Sequence, residues 1–143
     1  MQVCIIAHTL IHCDKCIFHD REGTTLKLEK YLDQLRSESG FIWVSVINNE
    51  GLALCQSGTE EPFELAALLP SWICNGKDIA RAAQMESGMG LICLVPKRGS
   101  HALLLRNFEV NNENYILLIA TSKMPPKIAT TLNNICHKLT EFI

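Results

Sequence analysis

Gly40-Phe41-Ile42-Trp43-Val44-Ser45-Val46-Ile47-Asn48-Asn49-Glu50-Gly51-Leu52-Ala53-Leu54-Cys55-Gln56-Ser57-Gly58 is the stretch that decides the fold. From Phe41 to Ile47 it is rich in β-branched and aromatic side chains and apolar at both alternating positions, so it reads as a central strand covered on both faces. Asn48-Asn49-Glu50-Gly51 then supplies residues that tolerate the positive φ of a tight turn. Leu52 to Ser57 resumes an extended pattern. The stretch is a hairpin whose leading strand belongs inside a sheet.

Upstream of it, Leu28, Tyr31/Leu32 and Leu35 lie on one helical stripe, with Thr24 or Thr25 as N-cap and Gly40 as the stop. Downstream, Gly58 to Pro62 forms a linker. From Phe63, Leu65, Leu68/Leu69, Trp72/Ile73, Ile79/Ala80 and Ala83 return to helical period, predicting a long second helix that ends before Gly88. Pro70 falls inside that pattern, where it removes a backbone donor and clashes with the preceding turn at a cost of about 3 kcal/mol. A kink or break is expected near Ala66 to Pro70. Three strands follow, Leu91 to Val95, His101 to Arg106 and Tyr115 to Ala120. The turn sequences Pro96 to Ser100 and Asn111 to Asn114 separate them and imply an antiparallel meander. After Pro125-Pro126, the residues Ile128, Leu132, Ile135/Cys136, Leu139 and Phe142/Ile143 mark a closing amphipathic helix.

The order α-β-β-α-β-β-β-α implies an α/β domain, a five-stranded antiparallel sheet with helices on both faces. The chain has 143 residues, 48% of them apolar and 20% charged, which is globular usage sufficient for one core. It divides into a Cys/His-rich N-terminal extension, residues 1–23, and one domain, residues 24–143. A net charge of −2 gives no electrostatic reason to expect nucleic acid or an acidic membrane as partner. The longest apolar runs are strand-sized, far short of the roughly 20 residues of a membrane span. The N-terminus has neither a basic leader nor a small-residue cleavage site, so secretion is not expected. Seven cysteines cannot all pair within one monomer. Cys55, Cys74, Cys93 and Cys136 fall in apolar segments and are expected to be core thiols, which favours the reducing cytoplasm.

No Gly-x-Ser-x-Gly elbow, phosphate loop, His-Glu-x-x-His or dinucleotide fingerprint is present, so no enzymatic activity is expected. Gly88 and Gly90 read as a turn before a strand, and Glu60-Glu61 as charges favourable to the start of a helix. Lys97-Arg98 with Arg106 makes a small basic spot that is ordinarily just solvated. The N-terminal extension departs most from background, placing three of seven cysteines and three of five histidines (Cys4, His8, His12, Cys13, Cys16, His19) within 19 residues. Cys13-Asp14-Lys15-Cys16 has the spacing with which two thiolates grip a tetrahedral metal, and His12 or His19 could complete a zinc site with Cys4 or His8. Two other readings stand beside it, an extra apolar element built on Cys4, Ile6 and Leu10, and thiol redox chemistry.

The hairpin from Gly40 to Gly58 resembles that of the Roadblock/dynein light chain family: a glycine, an apolar strand, an Asn-containing turn ending in glycine, and a strand ending in Ser-Gly. Glu64-Leu65-Ala66-Ala67-Leu68 resembles the start of that family's long helix. Arg98-Gly99-Ser100-His101-Ala102-Leu103-Leu104-Leu105-Arg106 resembles its glycine-turned later hairpin. The likeness covers about residues 24 to 143, and Pro70 and Gly76 depart from the continuous long helix of the family. The resemblance implies a Roadblock-like fold and a non-catalytic, dimeric regulatory or scaffold module whose partner is a small Ras-like GTPase. It also implies dimers joined through the edge strand after the long helix and by packing of the two long helices. Physics supplies a reason of its own, because Leu91 to Val95 would be an uncharged apolar edge that pairing with its own copy would cover. Trp72, Ile79, Ile92, Cys93 and Leu94 are the expected interface residues. The alternative function is a metal- or redox-responsive signalling module acting through the N-terminal Cys/His cluster.

Overall fold

A computed structural model describes residues 21–58, 63–86 and 90–143. The elements are α1 (Arg21–Ser39), β1 (Trp43–Asn48), β2 (Ala53–Gly58), α2 (Phe63–Ala82), β3 (Ile92–Leu94), β4 (Ala102–Val110), β5 (Glu113–Thr121) and α3 (Ile128–Leu139). The five strands form one antiparallel sheet in the order β2-β1-β5-β4-β3. This is the expected α/β layout.

Side-chain alternation on the inner strands builds two cores. Val44 and Val46 of β1 and Leu117 and Ile119 of β5 pack with Leu28 and Leu32 of α1 and with Leu132, Ile135 and Leu139 of α3. Trp43 and Ile47, with Ile116, Leu118 and Ala120, pack on the opposite face against Ala66, Leu69 and Ile73 of α2. Strands covered on both faces read as continuous apolar runs, which is why Phe41 to Ile47 and Tyr115 to Ala120 carry almost no polar residue. Ser45 is the exception, fully buried with a hydroxyl that no described residue partners.

Turn chemistry sets the element ends. Gly40, at φ +67, takes the left-handed position after α1, and Phe41 N–H donates back to Arg36 O (3.1 Å), the Schellman closure expected of a glycine stop. The start of α1 differs from expectation: it begins at Arg21, so Thr24 and Thr25 are helical and not its cap. Threonine is only a modestly poor helix former, and a helix already nucleated on the sheet extends through both positions. In the β1–β2 turn, Asn48 Oδ1 accepts from the amides of Glu50 (3.0 Å) and Leu52 (2.9 Å), while Gly51 takes the positive φ of +82. Asn111 and Asn112, at φ +52 and +65, make a two-residue turn between β4 and β5. That tight turn lets both strands run nine residues, longer than their apolar cores predict.

α2 is continuous through Pro70, so the expected break is absent. Leu69 and Ile73, on either side of the proline, are both buried against the sheet, and that packing outweighs the lost amide. The helix ends at Ala82, before Gly88 as expected. Gln84, at φ +56, adopts the left-handed conformation, and the amides of Gln84 and Met85 donate to Arg81 O and Ala80 O (3.0 Å each). A Schellman closure can thus form on a residue that no composition rule marks as a stop.

A polar tie fixes α1 to β2. The buried Ser57 hydroxyl donates to Asp33 Oδ1 (2.5 Å) and accepts from Arg36 Nε (2.9 Å). Gly51 is the tightest point between the hairpin turn and α2, since a Cβ there would lie 2.9 Å from Ala66 O. In a urea titration Gly51→Ala should therefore cost about 1–3 kcal/mol, from strained φ and the clash together. Glu50→Ala, one residue earlier and exposed, should stay within about 0.5 kcal/mol of the parent in the same titration.

Candidate partner-binding groove

The C-terminal half of α2 leans over the sheet toward β3, the last strand of the order, and leaves a groove between them of about 430 Å³. Trp72, Asn75, Gly76, Ile79 and Ala80 of α2 form one wall, since positions 72, 75/76 and 79/80 recur at helical spacing. Leu91, Ile92 and Leu94 form the other, and Met85 closes one end. The lining is almost wholly apolar. Ile79 is 68% exposed, and Val95, just past β3, is 70% exposed. The outer backbone edge of β3 has no strand beside it among the described residues.

Four of the five residues expected at an interface, Trp72, Ile79, Ile92 and Leu94, line this groove. Cys93 does not. It pairs with Leu104, which faces α1 and α3, so strand alternation turns its side chain to the sheet's other face, where it is exposed. Met85 and Leu91 are not among the expected residues. Met85 stands past the helix end, beyond the reach of helical periodicity, and the Gln84 closure brings it there; Leu91 precedes the strand and carries only a generic apolar signal.

The cysteines divide two and two. Cys55 and Cys136 are buried as expected, and burial pushes both thiols up from the ordinary 9.0 to about 11, the nearby Arg106 guanidinium opposing that at Cys136 without reversing it. Cys74 and Cys93 are exposed, contrary to expectation, because an apolar segment on a helix or edge strand still has an outward face. Arg106 Nη1 donates to Gly90 O (2.6 Å), at the end of the β3–β4 hairpin opposite the Lys97-Arg98 turn, so the three cations do not form one basic spot. Among the described residues no three His, Cys, Asp or Glu side chains are placed to hold a metal. Cys13, Cys16, His12 and His19 lie outside the described residues. No helix of the described residues is long and apolar enough to cross a membrane.

An antiparallel sheet ordered β2-β1-β5-β4-β3, with α1 and α3 on one face and α2 on the other, is a Roadblock/LC7-like fold. No family model and no curated protein matches the chain. Among solved structures, Myxococcus xanthus MglB superposes with a TM-score of 0.64 at 13% identity, covering 82% of this chain and 87% of that one. The gliding protein MglB from Thermus thermophilus gives 0.63 at 14% identity, covering 88% and 93%. A Roadblock/LC7 domain from Streptomyces avermitilis gives 0.53 at 14%, covering 77% and 92%. At such identities the likeness is one of fold.

Thiol chemistry separates the two cysteine classes. Cys74 and Cys93 should be alkylated in the native protein, whereas Cys55 and Cys136 should react only once denaturant is added, as peptide mapping would show. The fold favours the protonated thiols of Cys55 and Cys136, so their contribution to stability is complete below about pH 9 and is lost as pH rises toward 11. Substituting both by Ala should flatten that alkaline limb of the stability profile.

Proposed function

We propose that this chain is a non-catalytic regulatory module that forms a two-fold homodimer through β3 and α2 and presents the dimer to a small Ras-like GTPase. The observation that carries the dimer is the groove itself: a strand edge unpaired among the described residues, beside an apolar wall from which Ile79 stands 68% exposed. An apolar edge strand invites further strand addition, and pairing it with its own copy both satisfies the backbone and removes apolar surface from water. Two α2 helices would then meet across the axis along Trp72, Gly76 and Ile79. The GTPase draws its support from the resemblance of the hairpin and long helix to the Roadblock family and from the shared fold. The four described cysteines, all free thiols, are consistent with a reducing cytoplasmic setting.

Ile79→Asp, on an exposed position that does not support the core, should leave the fold intact and weaken dimerisation by about 2 kcal/mol or more, roughly thirtyfold in Kd. Sedimentation equilibrium reads this directly, and a parent protein that is monomeric at tens of micromolar by the same measurement refutes the dimer. Binding to Ras-like GTPases of the same organism, loaded with GDP or with a GTP analogue, tests the partner. Failure with every such GTPase in both states would remove that half of the proposal.

A second reading is carried by the Cys13-x-x-Cys16 spacing with His12 and His19 beside it: a zinc-responsive or redox-responsive segment attached to the same module. Untagged protein should then retain about one zinc per chain, lost in Cys13→Ser/Cys16→Ser. Substoichiometric zinc that the double substitution leaves unchanged would dismiss the metal.

A further inference from the structure

β3 offers apolar surface on both faces of the sheet. Ile92 and Leu94 line the α2 groove, whereas Cys93 turns to the opposite face, where it is exposed. Val95, one residue further, is 70% exposed. Leu91 to Val95 carries no charge, but charges flank it: Glu86 before, Lys97 and Arg98 after. All three are exposed, and none has an ion-pair partner among the described residues.

Symmetry restricts how such a strand can meet a second copy. In the dimer proposed above, on which this inference rests, both α2 helices lie on one face, so the two-fold axis stands perpendicular to the sheet and the two β3 strands run antiparallel. Residues opposite one another in an antiparallel pair point to the same face, and faces alternate along each strand. Paired positions therefore differ by an even number, and one residue must stand opposite its own copy. β3 has three residues, and only an axis at the middle one, Cys93, pairs all of them. Moving the axis by one residue leaves Ile92 or Leu94 outside the pairing.

We propose that β3 pairs with its own copy in the register that sets Cys93 opposite Cys93 across the two-fold axis, with Ile92 opposite the partner's Leu94 and the Lys97-Arg98 turn beside the partner's Glu86. Ile92 and Leu94 then cover one another on the groove side, continuous with the α2 contact along Trp72, Gly76 and Ile79. Val95 is carried opposite the partner's Leu91. The charges match in the same register, because antiparallel strands bring each Lys97-Arg98 turn to the end of the partner's β3 that Glu86 precedes. Opposite charges placed twice about the axis favour this register and oppose a slipped one. The two Cys93 thiols then stand on strands with a Cα separation of about 4.5–5.5 Å, within the range a disulfide spans. Moving the axis by one residue sets them about 7–8 Å apart, too far for an unstrained bridge.

Disulfide trapping of the full chain tests the register. With Cys4, Cys13, Cys16 and Cys74 replaced by Ser, only Cys93 of the three remaining thiols is exposed. Glutathione disulfide is the oxidant. One Cys93 thiolate attacks it and releases glutathione, and the partner's Cys93 thiolate displaces the second glutathione, so two protein thiols become one disulfide as one glutathione disulfide becomes two glutathiones. The linked dimer, read on non-reducing gels and by peptide mapping, should form at least about tenfold faster than when Cys93→Ser is combined with Leu91→Cys, Ile92→Cys, Leu94→Cys or Val95→Cys. A faster link at any of those four positions, or none at Cys93, overturns the register. Sedimentation equilibrium of the reduced protein separates the two failures: a dimer that does not link at Cys93 loses only this register, and a monomer at tens of micromolar loses the dimer as well. Glu86→Lys should weaken dimerisation by about fivefold at low salt, and adding Lys97→Glu/Arg98→Glu should restore it to within about twofold. A Glu86→Lys without effect, or a charge swap that restores nothing, overturns the placement of the basic turn beside the partner's Glu86.

Discussion

The antiparallel pairing of β1 with β5, from Trp43 opposite Ala120 to Asn48 opposite Tyr115, is the constraint on which the rest of the molecule depends. Both strands are buried on both faces, so each presents one row of side chains to α1 and α3 and the other row to α2. A slip of one residue would exchange Val44 and Val46 with Trp43, Ser45 and Ile47, misplacing both cores at once. With each fully buried aliphatic or aromatic side chain contributing roughly 1.5–3 kcal/mol, no alternative register competes. Everything placed around this pair, three helices and three further strands, has its side of the sheet assigned by it.

The two edges of the sheet are treated differently. β2 is covered by α1 and held through Ser57 between Asp33 and Arg36, so its inward face is closed by a polar tie as well as by Cys55. β3 has three residues, no covering helix on its outer edge among the described residues, and an apolar groove beside it. Short length limits the liability of an edge strand but does not remove it. The asymmetry leaves β3 as the edge of the sheet with apolar surface beside it.

Much of this is legible along the chain. The hairpin from Gly40 to Gly58, the order of the eight elements, the glycine stop of α1 and four of the residues that line the groove follow from period-2 and period-3.6 patterns and from turn residues. Where sequence and structure part, the cause is a choice made by packing. Pro70 is a breaker on local grounds, yet Leu69 and Ile73 hold α2 together across it. Cys74 and Cys93 are apolar by type but outward by position.

The sequence by itself determined which segments are helix and strand, because those depend on nearest-neighbour torsions, on turn residues such as Asn48 and Gly51, and on the repeat of apolar side chains. Only the tertiary structure decided that Gln84 would close α2 and deliver Met85 to the groove, that the register of β2 against β1 would shift at Leu54, and that Cys93 would face away from the residues that line the groove. Those outcomes depend on registers between residues far apart in the chain. A register is chosen by the summed burial of two whole strands or a helix and a sheet, a quantity no single stretch of sequence contains.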